Sequence, residues 1–226
     1  MKTWRDYIEN ILIAVLLALV VRAFVLTGYK VPTGSMAPTL LPGDFIFAFR
    51  LPFGLKIPFT EKKIFVRAPE RGEVVVFTYP EQPQVTYVKR VMGLPGDRIE
   101  IKNDHLIVNE KTFQYAAVGP KMGKDVPSSD LFTVVTEKGM GIDHNLVLKK
   151  ETERTNFGPI IVPPDEVFLL GDNRDSSDDS RYWGTVPFAR IEGKVIFIWL
   201  SLNWQQKVWE NRLPTVRWDR SWSRLN

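Results

Sequence analysis

The sequence predicts a mainly β fold: a mixed, largely antiparallel β-sheet domain with a smaller inserted β subdomain, preceded by one N-terminal transmembrane helix. Three observations lead there. An uncharged apolar run, Ile11 to Val21, stands near the N-terminus. Behind it come short runs rich in β-branched and aromatic residues, separated by Pro and Gly, with little helical period. A polar, Gly-rich stretch from about 112 to 159 then breaks that pattern, as an insertion or flap on the main sheet would. The expected layout is a tail and anchor over 1–29 and a folded domain over 30–226, with the inserted subdomain around 103–162.

The chain's 226 residues suffice for one good-sized domain. Hydrophobic residues at 44% and charged residues at 25% exclude disorder over the whole length. A net charge of +4 does not by itself call for nucleic acid and suits an anionic lipid surface equally well. The absence of cysteine excludes a thiol nucleophile, a disulfide framework and a thiolate zinc site. There are only two histidines, His105 and His144, which matters because most hydrolase mechanisms lean on histidine.

The apolar stretch from Ile11 to Leu26, interrupted by Arg22, would be roughly 24 Å long as a helix. That is short of a hydrocarbon core of about 30 Å. Adding Tyr7-Ile8 and Thr27 to Tyr29 gives roughly 34 Å. Trp4, Tyr7 and Tyr29 would then sit in the interfacial belts and Arg22 would snorkel outward. A single transmembrane anchor is the expected reading. A removable leader cut at Val21-Arg22-Ala23 and a buried core helix stay open. Lys2 and Arg5 before the segment against Arg22 and Lys30 leave its orientation unspecified.

Strands are expected at Phe45–Phe49, Glu73–Tyr79, Thr86–Val91, Val167–Leu170 and Lys194–Trp199, and a hairpin joins Arg98–Lys102 to His105–Val108 around Asn103-Asp104. Toward the C-terminus Trp199, Trp204, Trp209, Trp218 and Trp222 alternate with Arg212, Arg217, Arg220 and Arg224. Core packing, a surface resting on lipid headgroups and single-stranded nucleic-acid stacking are all open for this segment.

Chemistry concentrates in three segments. In Val31-Pro32-Thr33-Gly34-Ser35-Met36-Ala37-Pro38-Thr39-Leu40, Gly34 would permit a tight bend that presents Ser35. A serine needs a base, and neither histidine sits in a convincing setting. Lysine can serve if neutral, which burial favours; a depression of about two pH units would make roughly 4% of it neutral at pH 7. Lys89, in Tyr87-Val88-Lys89-Arg90-Val91, is the candidate, and strand alternation puts it on the face of Tyr87 and Val91. The third segment, Gly171-Asp172-Asn173-Arg174-Asp175-Ser176-Ser177-Asp178-Asp179-Ser180-Arg181-Tyr182-Trp183-Gly184, has the acids of a calcium loop but not the spacing. Arg174 stands where a ligand would, and no glycine falls mid-loop. A structural loop of ion pairs and Asx turns accounts for the acids without a metal.

Together with Arg71-Gly72-Glu73-Val74-Val75-Val76-Phe77 and Gly93-Leu94-Pro95-Gly96-Asp97, these segments resemble, in order, the motifs of the bacterial type I signal peptidases (leader peptidases). The match runs from the anchor to about Gly193 and is weak in the insertion. The resemblance implies a membrane-bound serine endopeptidase, without metal or cofactor, that removes signal peptides from exported preproteins after an Ala-x-Ala-like site. Ser35 would be the nucleophile and Lys89 the general base. The Ser35 N–H and the Thr33 hydroxyl would form the oxyanion hole; many relatives carry serine at the Thr33 position. Ser177 would hydrogen-bond and orient Lys89. Asp172 with Arg90, and Asp179 with Arg181, would be structural ion pairs. Tyr29, Val31, Met36, Leu40, Val76, Tyr87 and Val88 match positions lining the substrate pockets. The N-terminus would be cytoplasmic and the peptidase domain would rest on the outer face of the bacterial inner (plasma) membrane. Its partners would be signal peptides, lipid and the secretion machinery, not nucleic acid. Many relatives have two anchors where this chain has room for one. The rivals are a conjugation-linked Ser–Lys processing peptidase, a self-cleaving repressor and a non-enzymatic membrane scaffold of the same fold. A repressor needs a DNA-binding helix-turn-helix and a soluble N-terminus, and a scaffold predicts loss of Ser35 or Lys89.

Overall fold

The computed structural model describes residues 4–20, 25–56, 63–118, 131–151, 153–208 and 213–225. Helix α1 (Trp4–Val20) comes first. Strands β1 (Leu26–Lys30), β2 (Asp44–Phe49), β3 (Phe53–Lys56), β4 (Lys63–Val66), β5 (Val74–Thr78) and β6 (Thr86–Gly93) follow. Next are β7 (Arg98–Lys102), β8 (His105–Val108), β9 (Lys111–Thr112), β10 (Gln114–Ala117), β11 (Phe132–Gly139), β12 (Ile142–Lys149) and β13 (Phe157–Ile161). The chain closes with β14 (Glu166–Leu170), the one-turn helix α2 (Ser180–Trp183), β15 (Val186–Pro187), β16 (Ile191–Val208), β17 (Leu213–Val216) and β18 (Ser223–Arg224).

The main sheet runs β1-β2-β16-β5-β6-β14-β15, with β17 and β18 also paired to β16. Its described ladders are antiparallel. β16 is long because it bends. Register shifts, such as those between Val195 and Phe197 and between Ile198 and Leu200, let it serve several partners in turn. Period-two alternation in β5 sends Val74 and Val76 into one apolar cluster and Val75 and Phe77 into another. The first cluster also holds Val31, Met36, Leu40 and Ile46; the second holds Phe53, Val91 and Leu169.

Between the adjacent strands β6 and β14 the chain leaves the main sheet. It builds a four-stranded sheet, β13-β7-β8-β9, and a three-stranded one, β10-β11-β12. The expected hairpin forms with Ile99 opposite Val108, and its turn residues Asn103 and Asp104 have φ of 49° and 69°. Those left-handed values match the twist of the flanking strands. A third apolar cluster, including Met92, Ile99, Leu106, Phe113 and Phe168, joins the four-stranded sheet to the body. His105 lies here, stacked on Tyr115 at 4.4 Å, and its Nδ1 is 3.3 Å from the Phe113 carbonyl oxygen.

The N-terminus differs from expectation. Helix α1 has 17 residues, roughly 26 Å. Thr27 to Tyr29, counted above as helix, instead form β1 and pair with Phe47, Ile46 and Ala48 of β2. The pairing satisfies backbone groups that a longer helix would satisfy internally. No helix among the described residues is long and apolar enough to cross a membrane. Even so, Ile11, Leu12, Ile13, Leu16 and Leu17 of α1 are all exposed. Arg22 and Ala23, on which the snorkelling and cleavage readings rest, lie outside the described residues.

The Trp-rich segment divides. Trp199 is half-buried against the rings of Phe45 and Phe47, at 5.6 and 5.9 Å. Trp204, Trp218 and Trp222 are exposed. Arg217 and Arg220 turn inward onto buried Asp44, and Arg220 also donates to the Thr39 carbonyl. Trp209 and Arg212 lie outside the described residues.

Candidate active site

The segment after β1 carries Ser35. Ala37 N–H donates to the Gly34 carbonyl at 3.0 Å and Leu40 N–H to the Met36 carbonyl at 2.9 Å, closing tight turns around it. Gly34 itself has no left-handed φ, and a Cβ there would meet only Pro42, at 3.8 Å. The bend therefore does not need this glycine. The one that does matter is Gly171: a Cβ on it would lie 2.6 Å from the Ser35 carbonyl oxygen and 2.1 Å from Ser177 Oγ. Only a bare Cα lets the Gly171–Gly184 loop lie against the serine turn.

Strand β6 brings Lys89 to Ser35. Lys89 is buried, and its Nζ lies 2.8 Å from Ser35 Oγ in a hydrogen bond. Its Nζ is also 5.4 Å from the centre of the Tyr87 ring, on the same face of the strand. Burial pushes the Lys89 amine down from 10.5 to about 8; Asp179, Asp178 and Asp172 pull the other way and Arg181 adds to the fall. At pH 7 roughly one amine in ten is then neutral, against about one in 3,000 for an unburied lysine. The Thr33 hydroxyl lies 3.5 Å from Ser35 Oγ. No described hydrogen bond engages the Ser35 N–H.

The third segment frames this pair. Arg90 grips Asp172 in a fork, Nε to Oδ1 at 2.9 Å and the second nitrogen to Oδ2 at 2.7 Å. Burial alone would raise the Asp172 carboxyl; the Arg90 charge and hydrogen bonds outweigh it and hold the group below the usual carboxylate range. Thr39 donates to Asp172 Oδ2 at 2.5 Å, tying the nucleophile segment to the same acid. Arg181 grips Asp179 at 2.7 Å, and Asp179 accepts from Gly171 N–H and caps α2. Asn173 holds the serine turn twice: its N–H donates to the Ser35 carbonyl at 3.0 Å and its side-chain amide to the Gly34 carbonyl at 3.1 Å. Both expected ion pairs are thus formed. Ser177 departs from expectation. Its hydroxyl is buried without a hydrogen-bond partner, so the expected bond to Lys89 is absent. The close packing of Gly171 and Ser177 holds the hydroxyl beside the loop backbone instead.

Six of the expected pocket residues, Tyr29, Val31, Met36, Leu40, Val76 and Val88, meet in one apolar cluster. Tyr29 and Val88 are its partly exposed members. Tyr87 falls on the opposite face with Lys89 and stacks on Tyr79 at 4.8 Å. A cleft of about 250 Å³ opens next to Arg90, between Glu70–Val74 and the turn at Gly141–Asp143, and touches neither Ser35 nor Lys89. His144 is buried beside Asp172, where burial pushes its imidazole down to about 4; Asp172 and Glu137 act against this and Arg90 and Arg174 with it. It is therefore neutral at pH 7. Sequence reasoning missed Gly171, Asn173, Thr39, Glu137 and Arg174 as parts of this frame.

A family model described as signal peptidase, peptidase S26, matches residues 4–200. The chain belongs to this family. As a family member it is a serine endopeptidase of the signal peptidase I type. A signal peptidase I of Rickettsia typhi is 34% identical over 232 residues, covering 95% of this chain and 86% of that protein. One from Pseudomonas fluorescens is 36% identical over 211 residues, covering 87% and 72%. A signal peptidase I structure from Enterococcus faecalis V583 is 27% identical, covering 57% of this chain and 97% of that one, with a TM-score of 0.34. These relatives favour neither a conjugation-linked peptidase nor a scaffold.

Proposed function

We propose that this S26 peptidase removes signal peptides from exported preproteins by a Ser35–Lys89 mechanism. The observation that carries the reading is the 2.8 Å contact between a buried amine and a serine hydroxyl in a chain with no histidine poised to replace it. Neutral Lys89 accepts the Ser35 proton as Oγ attacks the scissile carbonyl carbon. The Ser35 N–H and the Thr33 hydroxyl stabilise the developing oxyanion. The Lys89 ammonium then protonates the leaving amine. In the second half Lys89 takes a proton from water as its oxygen attacks the acyl carbon, and returns that proton to Ser35 Oγ as the ester bond breaks and the acyl group leaves as the acid.

Small apolar subsites built on Val31, Met36, Leu40, Val76 and Val88 favour Ala-x-Ala before the cut, because a larger side chain clashes and a charged one is desolvated. Tyr87 borders the site from the Lys89 face. Helix α1, uncharged and exposed from Ile11 to Leu19, anchors the chain in the membrane. The peptidase domain faces outward, with Trp204, Trp218 and Trp222 on the lipid and the secretion machinery close by.

The test is cleavage of a preprotein with an Ala-x-Ala site by detergent-solubilised wild type, Ser35→Ala and Lys89→Ala. Wild type alone is expected to cut after the second alanine. Full activity in Lys89→Ala would refute the assigned base, and an inert wild type would refute the substrate class.

A further inference from the structure

The inserted three-stranded sheet does more than cover the body. Glu137 on β11 and His144 on β12 lie directly opposite each other in the hairpin register. Both are buried, and both point at the loop that frames Ser35. Glu137 takes a fork from Arg174, at 2.7 and 2.5 Å. Arg174 in turn donates through Nε to the Gly171 carbonyl at 3.3 Å. His144 Nε2 sits 3.3 Å from Glu137 and 3.6 Å from Asp172 and spaces the two carboxylates without a hydrogen bond to either. The backbone repeats the connection: Val147 N–H donates to the Asp172 carbonyl at 2.9 Å, and Val147 bridges Asn173. Lys149 N–H donates to Asp175 Oδ2 at 2.7 Å.

The loop so gripped touches the nucleophile's own peptide groups. Gly171 packs on the Ser35 carbonyl, and Asn173 donates to the Ser35 and Gly34 carbonyls. A buried fork is a poor source of stability, since apolar residues of similar volume often serve as well or better. What a fork supplies is direction, because the planar guanidinium fixes where its neighbours lie. Every link from Glu137 to Ser35 is a hydrogen bond or a backbone contact.

We propose that Glu137 is a positioning residue for Ser35: through Arg174, and through the Val147 backbone beside it, the β11–β12 hairpin holds the Gly171–Asn173 backbone against the serine turn and so keeps Ser35 Oγ in line with Lys89. The proposal rests on the Ser35–Lys89 reading above. It predicts that loosening the hairpin contact lowers turnover without weakening substrate binding, because the apolar cluster of Val31, Met36, Leu40 and Val76 is not part of the chain of contacts.

The experiment compares full-length wild type, Glu137→Gln and Arg174→Lys in detergent. Steady-state cleavage of a signal-peptide substrate gives kcat and KM separately, and amide hydrogen exchange follows the Asn173 N–H. Glu137→Gln keeps the shape but removes the charge, and is expected to lower kcat at least tenfold with KM within twofold. The Asn173 amide is expected to exchange at least tenfold faster while amides of β5 do not change. Arg174→Lys, which keeps the charge but loses the fork, is expected to do the same and decides the matter should Glu137→Gln not fold. Unchanged kcat in a folded variant, or unchanged Asn173 exchange, overturns the proposal. Should wild type not cleave the substrate, the functional reading fails, while the exchange measurement still decides whether the hairpin holds the serine loop.

Discussion

Replacing Lys89 by methionine is expected to abolish activity and to stabilise the protein at neutral pH. The Lys89 amine titrates at about 8 in the folded chain, against an ordinary 10.5. Between those values the unfolded chain holds a proton that the folded chain has released, so this group's contribution to stability rises with pH across the window. Below it the penalty for burying the ammonium stands in full, roughly 3 kcal/mol at pH 7, falling to about 2 at pH 9 and below about 1 at pH 10. Methionine fills a similar volume without a charge and forfeits the hydrogen bond to Ser35, worth about 1 kcal/mol. The net gain at pH 7 is then about 2 kcal/mol, or roughly 4–8 °C in Tm for a chain of this size. Thermal melts of wild type and Lys89→Met at pH 7, 9 and 10 measure it. The gap should shrink steadily and vanish near pH 10. A variant less stable than wild type at pH 7, or a gap that ignores pH, would refute the claim that burial holds this amine ready.

Gly171→Ala should cut kcat by at least a hundredfold even if folded, because the new methyl must displace either the Ser35 carbonyl or Ser177, both under 3 Å away; peptide cleavage and Tm together read this. Asp172→Ala leaves Arg90 buried without its partner and should destabilise by about 3–5 kcal/mol, measured by urea unfolding. Thr33→Val should lower kcat by about 10²–10³ with little change in KM, as loss of an oxyanion donor does, and Thr33→Ser should restore it.

Much of the site was legible because its chemistry is local. Ser35 and Lys89 each sit in short segments whose neighbours are fixed by turn and strand geometry, and alternation placed Lys89 with Tyr87 correctly. The turn at Asn103-Asp104 was legible for the same reason. What escaped depends on partners far along the chain. Counting apolar residues carried the helix through Thr27–Tyr29; only β2, some twenty residues on, reveals that stretch as a strand. Gly34 drew attention by standing beside Ser35, whereas the contact that requires a glycine is at Gly171, set by a fold that brings two distant loops together. Glu137 lies in the weakly patterned insertion. One signal was available: it is the first charge in the run Phe132–Glu137, an odd choice for a strand that merely packs. Nothing in the sequence could name Arg174 as its partner.

The central claim is that a neutral lysine, not a histidine, activates Ser35. The pH dependence of kcat/KM for wild type on an Ala-x-Ala substrate tests it most directly, since that profile reports the free enzyme's essential base. The account predicts a tenfold rise per pH unit on the acid side, levelling near pH 8, where Lys89 loses its proton. A profile that levels near 6.5, or is flat from pH 6 to 9, would contradict it.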